Sequence, residues 1–135
     1  MNVDQIVDVG QFLDKHGLTN PTLEVLDPSE KSYRALLFQP SGPFVGNTTR
    51  IGPADLDFAD RQASALLEMA TQQGHHLVVT PEYYLPIKTL QDCVHGDRFP
   101  AADAIWVLGC ESMTPTQLAA FKANAESTGK CRVFY

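Results

Sequence analysis

Apolar positions along the chain switch between two periods. From Val3 to His16 they fall at Ile6, Val9, Phe12 and Leu13, close to every 3.6 residues, and Gly17 follows as a stop, so the spacing predicts a short helix. Thr22-Leu-Glu-Val-Leu26, Asp27-Pro-Ser-Glu30 and Tyr33-Arg-Ala-Leu-Leu-Phe-Gln39 read as strand, turn and strand. Pro40-Ser-Gly-Pro43 closes that strand. The stretch through Gly46, Asn47 and Gly52-Pro53 is so rich in breakers that an irregular loop is expected. From Asp55 the period returns to 3.6 at Ala59, Ala63, Leu66, Leu67 and Ala70, with Gly74 just past the end, which predicts a helix.

His76-Leu-Val-Val-Thr80 is a β-rich run cut off by Pro81, Ile87 to Val94 fits a short helix before Gly96, and Ala104-Ile-Trp-Val-Leu-Gly-Cys110 is a further buried strand. Thr114 followed by Pro115 is an N-cap and first-turn pair. Leu118, Ala119, Phe121 and Ala125 give the next helix its apolar side, and Gly129 ends it. Cys131-Arg-Val-Phe-Tyr135 reads as the start of another strand. From Tyr33 the order is therefore β-α-β-(α)-β-α-β, an α/β layered pattern in which neutral strands alternate with amphipathic helices. Residues 1–30 stand outside the alternation as an N-terminal extension, and 31–135 form the α/β portion. There are no internal repeats or low-complexity segments.

Composition narrows the class. The sequence has 135 residues, 10 Lys and Arg against 16 Asp and Glu, and a formal net charge of −6. One domain is the ceiling, and a chain of this size buries roughly two thirds of its unfolded surface without needing disulfides. The acidic balance argues against direct nucleic-acid binding, because no basic excess exists to displace counterions from phosphates. The longest uncharged apolar run, Ala104 to Cys110, is far below the ~18 residues of a spanning helix, so no membrane crossing is expected. Met1-Asn-Val-Asp4 places an acid where a secretory signal carries lysines, and Cys93, Cys110 and Cys131 are odd in number and widely spaced. A cytoplasmic, reducing setting with free buried thiols is the expectation.

In α/β sheets functional side chains gather behind the carboxyl ends of strands, which singles out Gln39, Glu82 and Glu111. Glu82 is the most suggestive, since Leu77-Val-Val-Thr-Pro-Glu82 sets a carboxylate directly behind a buried strand that Pro81 forbids to continue. Partial desolvation there would raise its pKa toward that of a general base; a capping or surface glutamate is the plainer alternative. Tyr83 and Tyr84 serve either as a pocket wall or as packing. No Gly-x-Ser-x-Gly, Walker, Gly-x-Gly-x-x-Gly or His-Glu-x-x-His motif occurs. Adjacent His75 and His76 point different ways and suit a helix end, Cys93 and His95 lack further ligands, and Lys88 and Arg98 read as solvated charges. No metal and no cofactor is expected.

Arg34-Ala-Leu-Leu-Phe-Gln39-Pro, the Gly46-Asn47 loop, the alanine-faced helix and Gln73-Gly-His-His-Leu-Val-Val-Thr-Pro-Glu82 together resemble the opening of the nitrilase, or carbon-nitrogen hydrolase, superfamily. Ile105-Trp-Val-Leu-Gly109 is similar to the family strand that ends in glycine. The resemblance runs from about Tyr33 to Tyr135, and Gly-x-x-Leu-Val-Val-x-Pro-Glu is its most specific part. It implies the first half of a four-layer α-β-β-α sandwich and hydrolysis of non-peptide C–N bonds in small amides or nitriles by a Glu, a Lys and a Cys. Glu82 matches the Glu. Gln39, Tyr83 and Tyr84 are candidate pocket residues. In the family the Lys and Cys lie further along, and Lys130 and Cys131 come too early and at the wrong end of a strand, while Cys110 reads as a buried thiol. The expectation is thus an N-terminal portion, inactive by itself, that pairs with the missing half of its domain or self-associates. The alternative is a non-catalytic α/β interaction or sensing module within a larger protein.

Overall fold

The computed structural model describes residues 9–18, 32–96, 98–101 and 104–133. Its elements run in the order α1 (Val9–Lys15), β1 (Ala35–Leu37), β2 (Phe44–Gly46), β3 (Ile51–Pro53), α2 (Leu56–Gln72), β4 (Leu77–Val79), α3 (Ile87–His95), β5 (Ile105–Val107) and α4 (Pro115–Ser127). The predicted strand Thr22–Leu26 and its turn lie outside the described residues. β1, β4 and β5 form a three-stranded sheet with β4 in the middle, parallel throughout. The α/β class is therefore realised as β-α-β crossovers, with α2 joining β1 to β4 and α3 joining β4 to β5.

Register decides what each sheet face does. Leu36, Val78 and Trp106 are partners across the sheet and share one face. Val78 is fully buried there, and Trp106 packs on a core of Ala59, Ala63, Leu67, Tyr84, Leu85 and Cys93. Ala59 and Ala63 of α2 are buried in this core. The opposite face carries Ala35, Leu77 and Ile105 in one row and Leu37, Val79 and Val107 in the next. It is wholly aliphatic, yet Leu37 is 73% exposed and Val107 52%. An apolar sheet face this open needs a covering layer.

Helix ends are set locally. Asp55 caps α2 by accepting from the Phe58 N–H, and Gly74 leaves the helix at φ 61 while His75 N–H reaches back to the Ala70 carbonyl. Thr114 and Gln117 form a reciprocal capping box on α4, with Pro115 in the first turn. α4 buries Phe121 and Ala125 against Val94, with Leu90, Phe99, Met113, Cys131 and Val133 around them. The expected strand from Cys131 is not formed over residues 131–133, because this segment packs on the end of α4.

The loop expected between Pro40 and Pro53 contains a hairpin instead. β2 and β3 pair antiparallel, with Phe44 opposite Pro53 and Gly46 opposite Ile51. Asn47 makes this possible, since its Oδ1 accepts from Thr49 N–H, Thr49 Oγ1 and Arg50 N–H and so closes the turn with its side chain. The breakers occupy the turn and the strand ends, where they are tolerated. Lys88 is likewise more than a solvated charge: its Nζ bridges Asp60 at 3.0 Å and Asp92 at 2.8 Å, although the side chain stays exposed.

Asp60 also accepts from the fully buried Thr89 hydroxyl at 2.6 Å, which ties α2 to α3. That hydrogen bond, helped by Lys88 and opposed by burial, holds the Asp60 carboxyl below its ordinary value of 3.8. A pKa lower in the folded than in the unfolded chain means the tie is complete above the unfolded value and fades as pH falls through the folded one. In urea titrations, Asp60→Asn is expected to lower the unfolding midpoint at neutral pH, with the deficit shrinking toward zero in strong acid. A deficit that is constant with pH would contradict the assignment.

Candidate functional site

Because the sheet is parallel, the carboxyl ends of β1, β4 and β5 lie along one edge, which gathers Gln39, Glu82, Cys110 and Glu111 at the same end of the molecule. The turn that carries Glu82 is gripped by the continuation of β5. Thr80 N–H donates to the Val107 carbonyl, and Gly109 N–H donates to Thr80 Oγ1 at 2.9 Å. The N–H groups of Tyr84 and Leu85 both donate to the Gly109 carbonyl, at 3.0 and 2.8 Å, and Glu111 N–H donates to the Leu85 carbonyl.

Gly109 is needed for this approach. A Cβ built on it would stand 2.2 Å from the Pro81 carbonyl oxygen and 2.7 Å from Glu82 Cα, both of them backbone atoms. Tyr83 holds φ at 58°, a left-handed conformation costing on the order of 1 kcal/mol for a non-glycine residue. The turn is thus strained and tightly held, a combination found where a side chain must be aimed.

That turn sends neighbouring residues to opposite environments. Glu82 is exposed and pairs with no described residue, so the desolvation expected behind β4 is not found. Tyr83 is also exposed. Tyr84 is 2% exposed, donates its hydroxyl to Gln62 Oε1, and packs its ring in tilted contacts with Phe38 and Phe44, centroids 5.4 Å and 6.2 Å away. Burial lifts its phenol above the ordinary range. Tyr84 is packed in the core and also borders a cavity of about 20 Å³ with Phe44, Phe58 and Ala59.

Gln39 lies on a larger groove of about 540 Å³ at the carboxyl ends of β1 and β4, which Tyr83 and Tyr84 do not line. The buried carboxylate of this edge is Glu111, at 8% exposure. Its Oε1 accepts from the Ile87 N–H at 2.8 Å, which supplies the start of α3 with the cap that Pro86 lacks. Its Oε2 is 3.6 Å from Arg50 Nη1. Arg50 also donates to the Pro53 carbonyl, and paired hydrogen bonds between Ile51 and Ser112 sew the hairpin to the same segment. Gly52 fits against Glu111, whose Cβ would be 2.9 Å from a side chain there. Arg50, Gly52 and Thr80 gave no sequence signal, because their partners lie far along the chain.

Cys93, Cys110 and Cys131 are free thiols. The Cys110 thiol is pushed up to about 12 by burial and by the neighbouring Glu111 charge, so it stays protonated near neutrality. Cys93 is buried, donates to the Arg98 carbonyl and is also raised by burial, whereas Cys131 packs beside Ala125 on α4. Among the described residues no group of His, Cys, Asp and Glu side chains is arranged to hold a metal, and no helix is long and apolar enough to cross a membrane. Comparison with family models, with curated protein sequences and with solved structures finds no match.

Gly109→Ala is expected to cost about 2 kcal/mol or more, because the clash is with backbone that cannot swing aside. Urea unfolding measures the loss, and the amide resonances of Glu82, Tyr84 and Leu85 are expected to shift most. A neutral substitution would show that the turn is not held by this contact.

Proposed function

We propose that this chain is the N-terminal portion of a nitrilase-like hydrolase that cleaves non-peptide C–N bonds of small amides or nitriles, with Glu82 as its general base. The observation that carries this is the exposed, unpaired Glu82 carboxylate on a strained turn behind the central strand of a parallel sheet, clamped by Gly109. In the proposed cycle Glu82 removes the proton from a thiol as sulfur attacks the substrate carbon. With an amide it then returns that proton to the departing amine, and in the second half it activates the water that cleaves the thioester. In this reading the thiol and the lysine that stabilises the tetrahedral oxyanion come from a segment joined to or paired with this one, as the resemblance implies. The open face around Leu37 and Val107 supports such pairing, by a further sheet or a second copy. The three free thiols fit a cytoplasmic setting.

The same open face also favours the second reading, an α/β interaction module without catalysis. Expression of the whole reading frame that encodes this chain separates the two. On the hydrolase reading its product is expected to form a thioester adduct with an amide substrate, visible by mass spectrometry. Glu82→Gln is expected to slow its formation by about 10³-fold or more while the circular dichroism spectrum is unchanged. Undiminished acylation in that variant would remove Glu82 from the role, and the chain alone is expected to hydrolyse nothing.

A further inference from the structure

We infer that the Thr80 hydroxyl is the positioning group for Glu82: it takes the last hydrogen bond between β4 and β5 from its own carbonyl and so lets the chain leave the sheet toward the carboxylate. The functional meaning of this inference rests on the hydrolase reading. In a parallel pair a residue donates to the carbonyl one place before its partner and accepts from the N–H one place after it. β4 and β5 follow that rule, with Ile105 N–H on the His76 carbonyl at 2.7 Å and Thr80 N–H on the Val107 carbonyl at 2.9 Å. The next bond of the series would join the Gly109 N–H to the Thr80 carbonyl. Gly109 N–H donates instead to Thr80 Oγ1, at 2.9 Å, and no described residue donates to the Thr80 carbonyl.

This change of acceptor has two consequences. Gly109 N–H stays satisfied beside a Thr80 that is only 5% exposed, so the continuation of β5 remains bonded to the end of β4. The Thr80 carbonyl is released from the ladder, and Pro81 has no N–H to offer it, so the peptide units that follow can turn away. They do so at once: Tyr83 stands at φ 58°, and the N–H groups of Tyr84 and Leu85 come back to the Gly109 carbonyl. Gly109 is therefore held by Thr80 ahead of Glu82 and by Tyr84 and Leu85 behind it. Serine at position 80 supplies the same acceptor. Valine has nearly the same shape but no oxygen, so Gly109 N–H either loses its partner or returns to the carbonyl of residue 80, which draws the chain back into the ladder and carries Glu82 with it.

Scalar couplings across hydrogen bonds, measured by NMR in the 135-residue chain, test the acceptor without any mutation. A coupling is expected from the Thr80 nitrogen to the Val107 carbonyl carbon and none from the Gly109 nitrogen to the Thr80 carbonyl carbon; detection of the second would overturn the inference. In Thr80→Val that second coupling is expected to appear, or the Gly109 amide to exchange about tenfold or more faster, with the α2 amides of Leu66 and Leu67 unchanged. Thr80→Ser is expected to keep the original pattern, and a serine variant that behaves like the valine one would contradict the role of the hydroxyl. In the product of the whole reading frame, Thr80→Val is expected to slow acylation at saturating amide about 10²-fold with the half-saturating concentration changed less than about twofold, and Thr80→Ser to restore the rate to within about threefold. An undiminished rate in Thr80→Val, where Glu82→Gln is slowed, would remove Thr80 from the positioning role. Undiminished acylation in Glu82→Gln removes the hydrolase reading instead, while the couplings still decide which oxygen holds Gly109.

Discussion

The Gly109 carbonyl accepts from the N–H groups of both Tyr84 and Leu85, and the absence of a side chain at Gly109 lets the Pro81–Glu82 backbone press against it. These two facts fix a bend that would otherwise relax. With β5 holding the far side, the chain turns through a left-handed Tyr83, exposes Glu82 and drives Tyr84 into the core. Burying an aromatic side chain of that size contributes on the order of 2 kcal/mol, enough to offset roughly 1 kcal/mol of strain at Tyr83. The exposed carboxylate is therefore supported by the burial of its near neighbour, and the Phe38 and Phe44 rings that receive Tyr84 tie β1 and the hairpin to the same point.

The two carboxylates of this edge divide the work. Glu111 is buried and committed: it caps α3 through the Ile87 N–H and faces Arg50, so removing it would leave the helix start uncapped and the guanidinium with the Pro53 carbonyl but without its counter-charge. Glu82 is exposed and uncommitted. The Glu111 oxygens are already occupied by the helix start and the guanidinium, whereas the Glu82 carboxylate is open to solvent. The difference arises from tertiary placement rather than from the strand-end position that both residues share.

Much of the architecture is legible from local pattern, because local physics sets it. The 3.6 period of Ala59, Ala63, Leu66, Leu67 and Ala70 marks the buried face of α2, and Asp55, Thr114 and Gln117 sit where caps are required. The strands are shorter than their apolar runs, since only three positions of each are paired. What escaped the pattern depends on distant partners. The hairpin around Asn47 looked like a run of breakers because its stability comes from a side chain closing the turn and from Ser112, 61 residues from Ile51. The exposure of Glu82, the burial of Tyr84 and the bridging of Lys88 likewise follow from elements packed across the molecule. Strand-end spacing identified Glu82 and Glu111 as candidates, but could not say which one would be buried.

Residue-resolved amide hydrogen exchange tests the grip of β5 on the Glu82 turn most directly. The Tyr84 and Leu85 N–H groups are expected to exchange as slowly as the interior amides of α2 at Leu66 and Leu67, opening only with global unfolding. Exchange about 100-fold or more faster at Tyr84 and Leu85, with α2 still protected, would show that the turn opens by itself and that Glu82 is not held in place.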